Sequence, residues 1–302
     1  MPRQPGIYVE ILLRASLDEV WRLTQEPSEH QRWDLRFTEI EYLPRPDVNE
    51  SQRFLYATRI GFGMAIRGTG ESMGERVAAS GEATSALSFA SQDPKSLIRT
   101  GSGYWRYVPQ VEGLRFFTWY DYQTRFGAPG RIVDRCAFRP LMGWATAWSF
   151  DRLRLWLERG QTPEASLAWA GVYAAARGAV VFVWLWHGLV PKLLARDAAE
   201  RLMLRQTGMP ESVVVPIGVA EILFGLWMLF AWRSRWPLAA SVAAMVLALL
   251  EVAWRSPEFV TAAFNPVTLN VCVIVLCVIA WIAMPHVPTA RRCLRVQPKE
   301  RA

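Results

Sequence analysis

Histidine is scarce in this 302-residue chain, at three residues: His30, His187 and His286. No H-E-x-x-H occurs, which excludes that class of zinc protease, and the sequence offers no metal site. Four cysteines are too few for a disulfide scaffold, and Cys272 and Cys277 are not a C-x-x-C pair. Neither G-K-[ST] nor G-x-G-x-x-G is present, so the glycines between Gly61 and Gly81 read as turns and bulges of a bent sheet. Gly70-Glu-Ser72-Met-Gly74 has the letters of a nucleophile elbow. The pattern on both sides is strand-like, and no suitable Asp-then-His order follows in a soluble segment, so the match is read as chance. His30 comes too early for that order and reads as a helix-surface residue. No catalytic residue is assigned. The net charge is +7 without an RNP-type or zinc-finger motif, so nucleic acid is not read as a partner.

What is present is apolar: 52% of the residues are hydrophobic, which excludes dominant disorder. The composition breaks near residue 160. The first part is charged and nearly balanced. The second holds four apolar stretches at 168–190, 213–232, 236–254 and 266–284, each about 20 residues long, enough to cross a bilayer. Trp232, Trp236 and Trp254 stand at their ends, where indoles settle at the headgroup level. One side of the bundle would hold Arg152, Arg154, Arg159, Arg233, Arg235 and the tail basics Arg291, Arg292, Arg295, Lys299 and Arg301. The other holds Lys192, Arg196, Arg201, Arg205 and Arg255. The positive-inside rule then places both termini in the cytoplasm. The start of the chain carries no signal-peptide pattern, in agreement with a cytoplasmic first domain. The basic tail 291–302 reads as an anchor to anionic headgroups, with a lipid-modified Cys293 as the alternative.

Charged and polar side chains at bilayer depth are costly, on the order of 3 kcal/mol each, and persist where they pair or work. Arg177, His187, Glu221, Glu251 and Asn270 form that set. His187, Glu221, Glu251 and Asn270 fall in one leaflet by helical rise, with Arg177 as counter-charge to a Glu. They are read either as structural glue or as a quinone, proton or lipid site.

In the first part, Ile7–Leu13 suits a strand. Ser16-Leu-Asp-Glu19 is a capping box that opens a short helix. The pattern from about Phe37 to Arg135 is strand-like. In Leu114–Phe126 one face carries Leu114, Phe116, Thr118, Tyr120, Tyr122 and Phe126. A helix over Leu141–Glu158 follows, with Asp151, Arg154 and Glu158 on a narrow polar arc. A curved antiparallel sheet around one long helix is a helix-grip fold. Phe116, Thr118, Tyr120 and Tyr122, with Trp144 and Trp148 from the helix, are the expected lining of its ligand cavity. Arg152, Arg154 and Arg159, with Trp156, read as the end of the helix that meets the membrane.

Two resemblances join this reading. The run Ala15-Ser-Leu-Asp-Glu-Val-Trp21, with His30-Gln-Arg-Trp-Asp34 and the region Phe138–Leu153, resembles the START-like superfamily, also called SRPBCC or polyketide-cyclase-like. It implies a hydrophobic ligand cavity and no shared chemistry. Trp184-Leu-Trp-His-Gly-Leu-Val-Pro-Lys-Leu-Leu194, Glu221-Ile-Leu-Phe-Gly225 and Phe264-Asn-Pro-Val-Thr-Leu-Asn270 are similar to DoxX-like membrane proteins. That family implies a four-helix membrane bundle, and some relatives are associated with quinone-linked redox chemistry.

The expected architecture is an α+β helix-grip START-like domain (1–160), then an all-α bundle of four transmembrane helices (161–290), then the tail (291–302). The expected role is a binding protein, anchored in a bacterial-type inner membrane, for a hydrophobic or amphipathic small molecule such as a lipid or quinone. The alternatives are a subunit of a membrane oxidoreductase with a quinone as cofactor, and a scaffold for redox enzymes. Membrane lipids are the other expected partner.

Overall fold

The computed structural model describes residues 6–45, 47, 50–61, 63–263 and 265–298. It forms two compact units, Met1–Ser166 with Pro288–Ala302, and Leu167–Val287. Lys299 and Arg301 of the basic tail lie outside the described residues.

The first unit is built on seven strands: β1 (Ile7–Leu13), β2 (Glu39–Tyr42), β3 (Arg53–Gly61), β4 (Met64–Val77), β5 (Ala83–Ala90), β6 (Ile98–Gln110) and β7 (Gly113–Thr124). They form one antiparallel sheet in the order β1-β7-β6-β5-β4-β3-β2. The strands from β2 to β7 therefore run as a meander, and β1 closes onto the last of them. Register shifts at Arg59/Gly61, Ser72/Gly74 and Ile98/Thr100 bend the sheet, as single-residue bulges do. Gly70 permits the bend in another way. A Cβ there would lie 2.1 Å from the ring of Phe54, which folds over the strand.

Alternation places Ile7, Val9, Ile11 and Leu13 of β1 on the inner face with Leu114, Phe116, Tyr120 and Tyr122 of β7. Against them lie α1 (Leu17–Gln25), α2 (Pro27–Trp33) and the long α4 (Arg139–Arg159), while the short α3 (Gly127–Val133) is largely exposed. The capping box of Ser16 and Glu19 starts α1 as the sequence indicates. Gly160, at φ 63°, ends α4 in the left-handed conformation that suits glycine. β7 stops at Thr124. Phe126 does not continue its inward face; it sits at φ 65° ahead of α3 and is exposed.

The polar arc of α4 has a different role from the one its wheel suggests. Asp151 is buried, bonded to Arg154 Nε at 2.6 Å, and Arg154 reaches Glu158 at 2.8 Å. The segment after the last membrane helix covers this arc. Thr289 N donates to Asp151 Oδ2 at 2.7 Å and Arg292 Nε stands 3.6 Å from Oδ1. Leu294 then pairs with Glu10 of β1 through both backbone bonds, each 2.9 Å. Ala290 and Cys293 pack on the apolar core, and Cys293 Sγ contacts the Ala147 carbonyl at 3.2 Å. Residues 288–294 are thus part of the first unit, and burial pushes the Cys293 thiol well above its ordinary range, which disfavours its modification. Arg152 is also buried, with its Nε on the Pro163 carbonyl at 2.9 Å. Arg152 and Arg154 therefore serve the interior of this unit and are not free to reach headgroups.

The second unit contains the four long apolar helices. α5 (Pro163–His187) runs on into a π-helical segment, Gly188–Leu194. α6 (Ala198–Gln206) is short, and α7 (Val214–Phe230), α8 (Trp236–Arg255) and α9 (Pro266–Ala283) follow. Tyr173, Val180, Met228, Leu238, Val273, Cys277 and Ala280 make the bundle core. Phe182, Leu223, Phe230, Leu247, Trp254 and Ile282 point outward, as suits helices whose solvent is hydrocarbon. Cys272 lies on the outer face.

Replacing Asp151 with alanine removes the acceptor shared by Arg154, Arg292 and the Thr289 amide and leaves the buried Arg154 with Glu158 as its carboxylate partner among the described residues. We expect a loss of about 3 kcal/mol in the stability of the soluble unit, with faster proteolysis at Arg291 and Arg292. Thermal unfolding and timed digestion of the full-length protein in detergent measure both.

Candidate functional site

Of the residues expected to line a cavity between β7 and α4, Phe116, Thr118, Tyr120, Tyr122 and Trp148 are buried and Trp144 is exposed. Phe116 is fully buried, 4.6 Å from the ring of Phe150. Tyr120 donates or accepts a 2.9 Å bond with Thr146 of α4, and Tyr122 donates to Asp134 at 2.7 Å. Thr118 is buried and bonded to the Tyr104 carbonyl at 3.1 Å. Trp148 is buried beside the guanidinium of Arg152, while Trp144 lies largely exposed next to it. Phe116, Tyr120, Tyr122 and Trp148 are thus buried in the packing between the sheet and α4.

The open space lies at the other end of the sheet, where β2–β6 curve away from α1 and α2. A cavity of about 620 Å³ is walled by Phe37, Ile40, Phe54, Leu87 and Trp105. Its mouth carries Arg45, Glu50, Glu71 and Glu75. At the inner end, Thr24 Oγ1 and Gln25 Nε2 meet the Tyr107 hydroxyl at 2.7 and 2.8 Å, and Ser85 Oγ donates to Gln25 Oε1 at 3.3 Å.

His30 also lines this cavity. It is not on the helix surface; it is buried between Trp105, Phe37 and Trp33, with ring centroids 4.8, 5.1 and 5.2 Å away. Its Nε2 lies 3.1 Å from Asp34 Oδ2, one helical turn on. Arg36 Nη2 grips the same oxygen at 2.6 Å, and the Arg36 amide donates to Oδ1 at 3.0 Å. Burial opposes ionisation of Asp34, yet the Arg36 charge and the bond from His30 outweigh it and hold the carboxyl well below its usual range. Burial likewise holds the His30 imidazole below its ordinary value of 6.5, against the pull of Asp34. The i,i+4 spacing of His30 and Asp34 was the signal in the sequence. Their burial was not visible without the sheet that covers them.

In the membrane unit the structure separates the polar set. Among the described residues Arg177 pairs with no glutamate. It is fully buried, and its guanidinium caps the end of α7, donating to the carbonyls of Met228 at 2.9 Å, Ala231 at 2.8 Å and Ser234 at 3.0 Å. Met228 is in the last turn of α7, where carbonyls lack a helical partner, and Ala231 and Ser234 are in the turn that follows. Glu221 and Glu251 do share a cavity, of about 210 Å³, together with Lys192 and Glu200. Lys192 is the central cation, 3.1 Å from Glu221 and 3.2 Å from Glu200. Glu251 pairs with Arg255 at 3.3 Å. His187 and Asn270 do not line this cavity; Asn270 is buried on α9 and His187 is half-buried at the end of α5. Lys192 reaches inward because the helix is π-wound around Pro191 and lies close on α7. A Cβ on Gly188 would stand 2.5 Å from the Gly218 carbonyl, and only glycine allows that approach.

Residues 181–278 match the model of the DoxX-like family. Over 235 residues the chain is 41% identical to the membrane protein YndG of Bacillus subtilis (strain 168), covering 78% of this chain and 80% of that one. The chain belongs to the YndG family of membrane proteins. In this YndG-family chain the DoxX-like match falls on the four-helix unit. The N-terminal part is similar to solved START-like and cyclase-like structures. A STAR-related lipid transfer protein from Xanthomonas axonopodis is 16% identical, with 53% of this chain and 97% of that chain covered and a TM-score of 0.39. The Zhui aromatase/cyclase from Streptomyces sp. R1128 is 14% identical, with 49% and 95% covered and a TM-score of 0.34.

The buried His30 has a pH signature. Its folded pKa lies below the unfolded value of 6.5, so the unfolded chain takes up the proton first as pH falls. Stability from this group is full above pH 6.5 and declines as the pH drops towards the folded value. His30→Gln should flatten the fall in melting temperature between pH 7 and pH 5. Parallel melting curves for the two proteins would contradict this origin.

Proposed function

We propose that this membrane protein binds a hydrophobic or amphipathic small molecule in the cavity of its soluble unit and holds that unit at a bacterial-type inner membrane. The observation that carries the reading is the 620 Å³ space walled by Phe37, Ile40, Phe54, Leu87 and Trp105 and rimmed by charge. Ligand sites are of this size, and here the apolar walls are mixed with polar groups such as Gln25, Gln52, Ser72 and Ser85, which suits an amphipathic molecule. Native mass spectrometry of the purified protein should find a co-purifying small molecule. Leu87→Trp, which fills the cavity, should reduce its occupancy about tenfold (roughly 1.4 kcal/mol) while the protein remains folded. Equal occupancy in the two proteins would reject the cavity as the site.

The topology proposal rests on connectivity as well as charge. The segments that enter and leave the four apolar helices both belong to the soluble unit, which requires an even number of crossings. The basic residues Arg233, Arg235, Arg291, Arg292 and Arg295 on that side favour the cytoplasm. Reporters fused to either terminus should both read cytoplasm, and one inserted near Arg201 should read the far side. A far-side signal from the C-terminal fusion would overturn the arrangement.

One observation favours a second reading, a quinone head-group site in the bundle. Lys192 and Glu221 border a small cavity whose other walls include Met203, Leu204, Ile217, Ala248 and Val252. Glu221→Gln and Lys192→Met should then lower the quinone extracted with the protein. Quinone content equal to wild type in both variants, or no quinone in the wild type, would dismiss this reading.

A further inference from the structure

The soluble cavity contains a hydrogen-bonding site whose polarity narrows the ligand. His30 Nε2 faces Asp34 Oδ2 at 3.1 Å, and that carboxylate is kept ionised by Arg36 at 2.6 Å. An ionised carboxylate accepts only, so Nε2 carries the imidazole proton and Nδ1 presents a bare lone pair. Among the described residues Nδ1 has no hydrogen-bond donor, although His30 is only 8% exposed and lines the cavity. Burial keeps the ring neutral near pH 7, with Asp34 and Arg36 as the charged groups that face it. Nδ1 is not sealed off inside the protein, so it is an open acceptor, and a ligand that brings an O–H or N–H to it complements the site.

Two further features restrict the class. The mouth carries Glu50, Glu71 and Glu75 against Arg45, with Arg53 3.9 Å from Glu71. A carboxylate ligand would meet that acidic rim and would bring no proton to His30. The walls nearest His30 are flat: Trp105 and Phe37 meet its ring edge-on, and Tyr56 packs edge-on against Phe37. Aromatic walls of this kind suit a planar ring.

We propose that the cavity takes a neutral aromatic alcohol or phenol whose hydroxyl donates to His30 Nδ1. Asp34 and Arg36 act as positioning residues that fix the tautomer. This rests on the cavity being a ligand site, and the experiment separates the two ideas.

The probes are 1-naphthol and its methyl ether, 1-methoxynaphthalene, titrated into the full-length protein in nanodiscs. Naphthol should bind about tenfold more tightly than the ether, the difference made by one retained hydrogen bond. In His30→Phe the two affinities should become equal. Because the chain has three histidines, ¹⁵N-histidine labelling gives a readout that does not depend on a variant folding. Naphthol, and not the ether, should move the Nδ1 resonance of His30 towards the hydrogen-bonded range. Equal binding of both probes by the wild type, or an unmoved Nδ1 resonance on saturation with naphthol, overturns the His30 proposal and leaves the cavity reading standing. Binding of neither probe to the wild type overturns both.

Discussion

A guanidinium taken out of water must find acceptors within the reach of its own side chain. Arg177 finds them at the end of α7 and in the turn after it, where the carbonyls of Met228, Ala231 and Ser234 converge. The same requirement shapes the rest of the molecule. Lys192 sits between Glu200 and Glu221, Asp34 between His30 and Arg36, and Asp151 among Arg154, Arg292 and the Thr289 amide. Lys192 and Asp151 join elements far apart in sequence while Asp34 fixes a local turn, and removing one partner of a buried pair costs several kcal/mol. Apolar packing fills the two cores; the ions decide which segments meet.

The apolar helices and the general order of strands and helices were legible because they rest on periodicity and length. The run from Trp236 to Trp254 has one charge, and α8 occupies Trp236–Arg255. The capping box at Ser16 is a local signal and formed locally. The cavity was not legible, because alternation tells which residues of β7 face inward and not whether α4 fills the space they face. Phe116, Tyr120 and Tyr122 are inward and packed; Phe54 and Leu87, on weaker patterns, face the opening. The sheet's bulges decide that difference, and single-residue register shifts leave no mark in hydrophobicity.

Arg177 and Lys192 show the same limit in the bundle. Depth along a helix can be counted from the sequence, but the direction of a side chain around it cannot once the helix changes winding. The π-turn at Pro191 redirects Lys192 towards Glu221, and the Gly188–Gly218 contact sets the distance between the helices. His187 precedes that change in winding and does not line the Lys192 cavity.

The pairing of Leu294 with Glu10 and the packing of Ala290 and Cys293 on the core carry a consequence for biosynthesis. A growing chain presents its early segments first, and domains commonly fold in that order. Here the covering of Asp151 and the outer edge of β1 comes from residues made after all four apolar helices. The first unit therefore lacks part of its edge until the last helix has been made, and a fragment ending at the first helix would lack the strand partner of Glu10 and the Thr289 amide on Asp151.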